Sequence, residues 1–156
     1  STSTPSVIAL TRQKLEQVRK EFVKENKCSK GAYELSRNKK QVDLTILASG
    51  SELNLALEVS HKLATENIYS KVISVPSLNY FEKQSNSYKE KILNETKYIV
   101  SIEAASTDCW KKLVGKNGLC FGIDNFGKSA PYKDVFKHFG LTDDNIVNKI
   151  KEMINN

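Results

Sequence analysis

The chain has 156 residues, 39% apolar and 27% charged, with a formal net charge of +6 at pH 7. That length supports one domain with its own core, and no run approaches the roughly 20 apolar residues a membrane helix needs. The positive charge is spread out: Lys14, Arg19, Lys20, Lys24, Lys27, Lys30, Arg37, Lys39 and Lys40 alternate with Glu16, Glu21, Glu25 and Glu34. A nucleic-acid site concentrates its cations and offers aromatics for stacking, so this charge reads as a solvated surface. Cys28, Cys109 and Cys120 stand apart, without a CxxC pair, and there are only two histidines. A structural zinc site wants four closely grouped ligands, so the thiols read instead as reduced.

Residues 1–13 open with a polar lead-in and a short apolar strand, Val7-Ile8-Ala9-Leu10, followed by Thr11-Arg12-Gln13. A lone strand is unstable and must join a sheet here or elsewhere. Residues 14–40 are charged and poorly periodic, as in a connector with room for a short helical piece. An α/β body is expected from Gln41 onward. Leu44 to Ala48 forms an apolar run that stops at Ser49-Gly50-Ser51-Glu52, where Gly50 permits a sharp turn. Ser49 and Glu52 have capping-box spacing and predict a helix start.

The helix should run from Glu52 to about Thr65, with Leu53, Ala56, Leu57, Leu63 and Ala64 near one face and Leu55 and Val59 broadening it. Lys71 to Val75 is a second strand, ended by Pro76, which removes a ladder donor. Strand, helix and strand in this order form a βαβ unit with parallel strands. Tyr80 to Leu93 is polar and partly helical, and Tyr98 to Ile102 is a third strand ending at Glu103. A helix over Asp108 to Val114 is closed by Gly115, and Leu119 to Ile123 is a fourth strand. Pro131 to Phe139 is a helix with Gly140 at its end, and Thr142 can cap a last helix carrying Ile146, Val147, Ile150 and Ile154. The alternation predicts a three-layer α/β/α sandwich with a mostly parallel sheet.

Two features bear on chemistry. Gly122-Ile123-Asp124-Asn125-Phe126-Gly127-Lys128-Ser129 satisfies the phosphate-loop pattern GxxxxGK[ST], after a strand and before a helix. It supports an alternative reading as a free-standing nucleotide-binding or interaction domain. Against it, Pro131 falls where a phosphate-binding helix should be running, and no later strand ends in a metal-binding aspartate. Ser49, Ser51, Ser77, Glu103 and Asp124 fall at carboxyl ends of strands, the ligand side of an open α/β sheet. Their plain reading is turn and cap residues. His61 and His138 lack the neighbours of a hydrolytic triad, and Trp110 reads as a core or interface anchor.

Several phrases in register, DLTILASGSELNLALEV, VISVPSLNYFEKQSNSYKE, IVSIEAASTDCWKKLVG, GIDNFGKSAP and FGLTDDNIVNKIKE, resemble the end of transketolases. The likeness covers nearly everything from Val42 onward, and PSVIALTRQ resembles the end of the family's pyrimidine-binding domain. The resemblance implies three parts: residues 1–13 as the terminal strand of that upstream domain, 14–40 as connector and 41–156 as the transketolase C-terminal domain. It also implies an enzyme that moves a two-carbon ketol unit from a ketose phosphate to an aldose phosphate in the pentose phosphate pathway. Such enzymes are cytoplasmic homodimers that use thiamine diphosphate and a divalent metal, Mg or Ca.

The family's cofactor-ionising glutamate and GDG metal–diphosphate motif belong to upstream domains, and no GDG triplet occurs here. This part is thus expected to be architectural, to bind neither cofactor nor metal, and to be inactive alone. Its partners would be the upstream domains of the same polypeptide. One family role maps onto this sequence: Arg12, at the arginine of an SRQ-like segment with Thr11 replacing serine, would contact the substrate's sugar phosphate. A guanidinium suits that task, since its planar fork matches phosphate oxygens and stays charged. The tail of another thiamine-diphosphate enzyme is a second alternative.

Overall fold

The computed structural model describes Pro5, Val7, Thr11 and residues 13–155. Of the strand expected over Val7 to Leu10 only Val7 is described; Ile8 to Leu10, and Arg12 after them, lie outside the described residues. A short 3₁₀ turn, Lys27–Lys30, leads into β1 (Tyr33–Arg37). There follow β2 (Leu44–Ala48), α1 (Glu52–Thr65), β3 (Ser70–Ser74), α2 (Leu78–Glu82) and α3 (Asn86–Leu93). The remainder is β4 (Tyr98–Ile102), α4 (Asp108–Val114), β5 (Leu119–Phe121), α5 (Tyr132–His138) and α6 (Asp143–Asn155).

The five strands form one sheet in the order β1-β3-β2-β4-β5. β2 pairs in parallel with β3 on one side and β4 on the other, and β5 extends the parallel set beyond β4. β1 runs antiparallel along β3, with an irregularity between Glu34 and Ser36. This edge strand lies within the segment read as connector.

Side-chain alternation divides the sheet between two cores. Leu44, Ile46, Ala48, Val72, Val100 and Ile102 face α1 and α6, meeting Leu53, Ala56, Val59, Leu63, Ile146, Val147 and Ile150. Leu47 and Ile73 face the other way, into a cluster with Phe81, Ile92, Trp110 and Val114 from α2, α3 and α4. Helices on both faces of a mostly parallel sheet make the expected three-layer α/β/α sandwich. Trp110 is a core residue of the second layer.

On α1, Leu53, Ala56, Val59 and Leu63 are buried as expected, whereas Leu55, Leu57 and Ala64 are half-buried and Ser60 joins the buried side. α5 ends in a left-handed residue at Gly140: its N–H reaches the Lys137 carbonyl, and the Leu141 N–H reaches that of Phe136. Those two bonds satisfy carbonyls that the helix end leaves free.

The edge strand is fixed by charge. Arg37 on β1 donates to both carboxylate oxygens of Glu95 at 2.6 Å and to both of Glu34 at 3.0 and 2.8 Å. Lys71 on β3, wholly buried, ends on the same Glu95 at 3.0 Å.

Candidate functional site at the carboxyl edge of the sheet

β2 is followed by α1 on one face of the sheet, whereas its neighbour β4 is followed by α4 on the opposite face. Loops leaving adjacent parallel strands in opposite directions open a crevice at their carboxyl ends, the usual ligand position in such sheets. Ser49 stands at the end of β2 and Glu103 at the end of β4. The sequence reading placed both there, and the structure brings them together: the Ser49 hydroxyl donates to Glu103 Oε2 at 2.5 Å.

The capping box expected between Ser49 and Glu52 does not form. The Glu52 N–H bonds the Ser49 backbone carbonyl at 3.1 Å, and Ser51 occupies the cap position without a side-chain cap bond. The reason is tertiary: the Ser49 hydroxyl is engaged by Glu103, more than fifty residues away in the chain. Glu52 is 5% exposed and turned into the crevice, where it accepts from the Ser51 hydroxyl at 2.8 Å. Sequence spacing identified Glu52 as a cap; only the register of β2 against β4 could have identified it as a crevice residue. Gly50, with φ +51°, makes the turn, and a Cβ there would meet nothing within 4 Å. Backbone conformation, and not crowding, selects glycine at this position.

Burial is the main influence on Glu103 and raises its pKa from 4.5 to about 7. The Ser49 hydrogen bond works against this, and the neighbouring Glu52 carboxyl reinforces it. The crevice can therefore hold a proton near neutrality. With a carboxylate already at the start of α1, it does not suit the small anion that a bare helix N-terminus attracts.

Beside it, Asp124 at the exit of β5 accepts from the Thr107 N–H and hydroxyl, both at 2.8 Å, and from the Ser106 hydroxyl at 3.3 Å. These bonds lower its pKa and tie the β5 exit to the start of α4. Ser106 and Thr107 were not singled out from sequence, because nothing local signals a partner seventeen residues on. Ser77 is a plain cap, accepting from the Tyr80 N–H at 3.3 Å.

The phosphate-loop reading meets a different backbone. After β5 the chain has no regular structure until α5 begins at Tyr132, and Pro131 is extended (φ −52°, ψ 138°). Lys128 and Ser129 thus precede the helix instead of opening it, and Phe126 is 98% exposed. A phosphate loop needs its lysine and hydroxyl at the first helical turn. His61 and His138 are exposed, and Cys28, Cys109 and Cys120 are free thiols. Among the described residues no group of three or more His, Cys, Asp or Glu could hold a metal, and no helix is long and apolar enough to cross a membrane.

Comparison with known proteins assigns this arrangement. The family model for the transketolase-like TK C-terminal domain matches residues 31–142. The chain belongs to that family. It is 41% identical to the transketolase of Buchnera aphidicola subsp. Acyrthosiphon pisum over 151 residues, 95% of this chain and 22% of the relative. It is also 41% identical to the Bacillus subtilis transketolase over 160 residues, 99% of this chain and 24% of the relative. Among solved structures, the Campylobacter jejuni transketolase superposes with a TM-score of 0.72 and 33% identity, covering 92% of this chain and 20% of that one. A split-gene transketolase, solved as an inactive β4 tetramer, has the same fold with a TM-score of 0.72 at 18% identity. The chain thus spans about a quarter or less of the length of the curated relatives it matches.

Proposed function

We propose that this chain serves as the C-terminal domain of a transketolase, an enzyme transferring a two-carbon ketol unit from a ketose phosphate to an aldose phosphate. The observation that carries the reading is identity of about 40% to transketolases along nearly all of the chain. The intended setting is a cytoplasmic homodimer of the pentose phosphate pathway, with the upstream domains of the same polypeptide as partners. Thiamine diphosphate and a divalent metal, Mg or Ca, supply the carbanion chemistry in that enzyme. In this reading the groups that hold the cofactor and the metal belong to the upstream domains, whose GDG motif has no counterpart in this sequence. No catalytic step is assigned to the residues described here.

This chain's own work is architectural. Two apolar layers stabilise the sheet and present its carboxyl edge, and the Arg37–Glu95–Lys71 network secures the edge strand. In the proposed division, residues 1–13 close the upstream pyrimidine-binding domain, 14–40 connect, and 41–156 form the C-terminal domain, with β1 lent to its sheet from the end of the connector. Arg12 is the one proposed substrate contact, holding the sugar phosphate through its guanidinium fork.

The test is a ketol-transfer assay with thiamine diphosphate and magnesium. The 156-residue chain alone should give no turnover. Joined to the upstream domains of a transketolase it should turn over, and Arg12→Ala should then raise KM for the sugar phosphates about 10- to 100-fold, the loss of a charge-assisted bond. Turnover by the chain alone, or an unchanged KM, would contradict the reading.

A further inference from the structure

At the amino edge of the sheet, opposite the crevice, a recess of about 500 Å³ opens where β4 and β5 begin beneath the last turns of α6. Its charged groups come from three separate parts of the chain: Lys97 ahead of β4, Lys116 in the turn between α4 and β5, and Lys149 and Glu152 on α6. Glu152 is taken by Lys149 at 3.0 Å. Lys97 and Lys116 have no carboxylate partner among the described residues. Three ammonium groups against one carboxylate leave two positive charges uncompensated.

The floor is apolar and fixed. Tyr98, Leu119 and Met153 are half-buried and pack against the core beneath α1 and α6. Gly118 presses the turn onto the sheet: a Cβ there would lie 1.9 Å from the Ile99 carbonyl oxygen and 2.5 Å from Val114 Cγ1. The backbone next to Lys116 is thus held against β4. Tyr98 adds a donor. Its hydroxyl oxygen accepts from the Lys97 ammonium at 2.7 Å, which leaves the phenolic proton for another acceptor. Unpaired cations, a spare hydroxyl proton and an apolar floor, in a recess of this size, are the features of a small-ligand site. A phosphate monoester answers all three. Its dianion meets the ammonium groups, an oxygen accepts from the hydroxyl, and its carbon body covers the floor.

We propose that this recess binds a small phosphate monoester, held by Lys97, Lys116 and the Tyr98 hydroxyl and seated on Leu119 and Met153. The site lies at the end of β4 remote from Glu103. It rests on the fold alone, and it stands whether or not the chain serves in ketol transfer.

The test titrates the 156-residue chain with phenyl phosphate and, in parallel, with inorganic phosphate. NMR follows the amides of residues 116–119 and the methyl groups of Leu119 and Met153. Phenyl phosphate should shift both sets saturably and bind about tenfold or more tightly than inorganic phosphate, because only the ester covers the floor. Lys116→Gln, at an exposed lysine without a partner, should weaken phenyl phosphate by about fivefold or more, and Tyr98→Phe, which keeps the ring and removes the donor, should weaken it too. Lys24→Gln, in the connector and outside the recess, should leave the affinity unchanged. Shifts that do not saturate, or equal affinity for the two phosphates, would overturn the proposal. Equal weakening by Lys24→Gln and Lys116→Gln would overturn it as well, by showing only the general positive charge of the chain at work.

Discussion

Lys71, buried to 0% exposure in the middle of the sheet, ends on Glu95, a loop carboxylate whose side chain remains 40% exposed. The same carboxylate takes the guanidinium of Arg37 on the edge strand. One loop residue thereby neutralises a cation inside the sheet and fastens the strand that closes its border. The two substitutions at this pair should behave oppositely. Glu95→Ala leaves an ammonium buried without a counter-charge and should cost about 1–3 kcal/mol, less than a fully buried pair because water screens Glu95. Lys71→Met, apolar and of similar volume, should be neutral or mildly stabilising. Urea denaturation of both variants decides it; equal losses would mean that packing of the lysine stem, and not its charge, matters there.

Glu95 also predicts acid behaviour. Its bond to Arg37, and then that to Lys71, lowers its pKa from 4.5 to about 2. A carboxylate held below its unfolded pKa stabilises the fold above about pH 4.5 and loses that contribution as pH falls toward 2. Glu103 has the opposite sign. Its raised pKa means that the folded chain binds the proton more tightly, so its contribution is full below about 4.5 and lost as pH rises toward 7. Stability measured against pH should therefore decline on both sides of about 4.5. Glu95→Gln should flatten the acid limb, and Glu103→Gln the neutral one. A neutral limb as steep in Glu103→Gln as in the parent would show that another group is responsible.

Two glycines separate conformation from crowding. At Gly31, with φ +78°, a Cβ would lie 2.2 Å from the Phe81 nitrogen and 2.5 Å from the Ser77 carbonyl oxygen, both backbone atoms. At Gly50 the surroundings are open. Gly50→Ala should cost about 1–2 kcal/mol, the penalty of a left-handed backbone alone. Gly31→Ala should cost clearly more, since the α2 backbone must also shift. Thermal unfolding of the pair checks the ranking, and equal shifts would contradict it.

For the irregular segment after β5, titration with Mg-ATP followed by thermal shift should leave the melting temperature unchanged. Lys128→Ala should not alter that result. Saturable stabilisation by ATP that disappears in Lys128→Ala would restore the nucleotide-binding alternative.

Much of this architecture was legible in the sequence because its central strands are apolar on both sides. Leu44–Ala48 and Tyr98–Ile102 were bounded as observed, and so was α1 at Glu52–Thr65. β1 was not legible. Tyr-Glu-Leu-Ser-Arg has neither an apolar run nor clean alternation, and its pairing with β3 is broken by an irregularity. Its place depends on Gly31 packing against α2 and on Arg37 finding Glu95, contacts that local pattern does not encode. The crevice shows a similar division. The positions of Ser49 and Glu103 followed from strand ends, but the direction of Glu52 followed from β2 lying beside β4. A spacing rule that is right for an isolated helix gave way to a stronger tertiary partner.

The most direct test of the account replaces the C-terminal part of the Bacillus subtilis transketolase with this chain and measures ketol transfer. Turnover within about an order of magnitude of the parent is expected, because the fold and its carboxyl edge should serve the same architectural purpose. A chimera that folds, assembles and binds thiamine diphosphate, yet transfers no ketol unit, would contradict the assignment of this chain to that role.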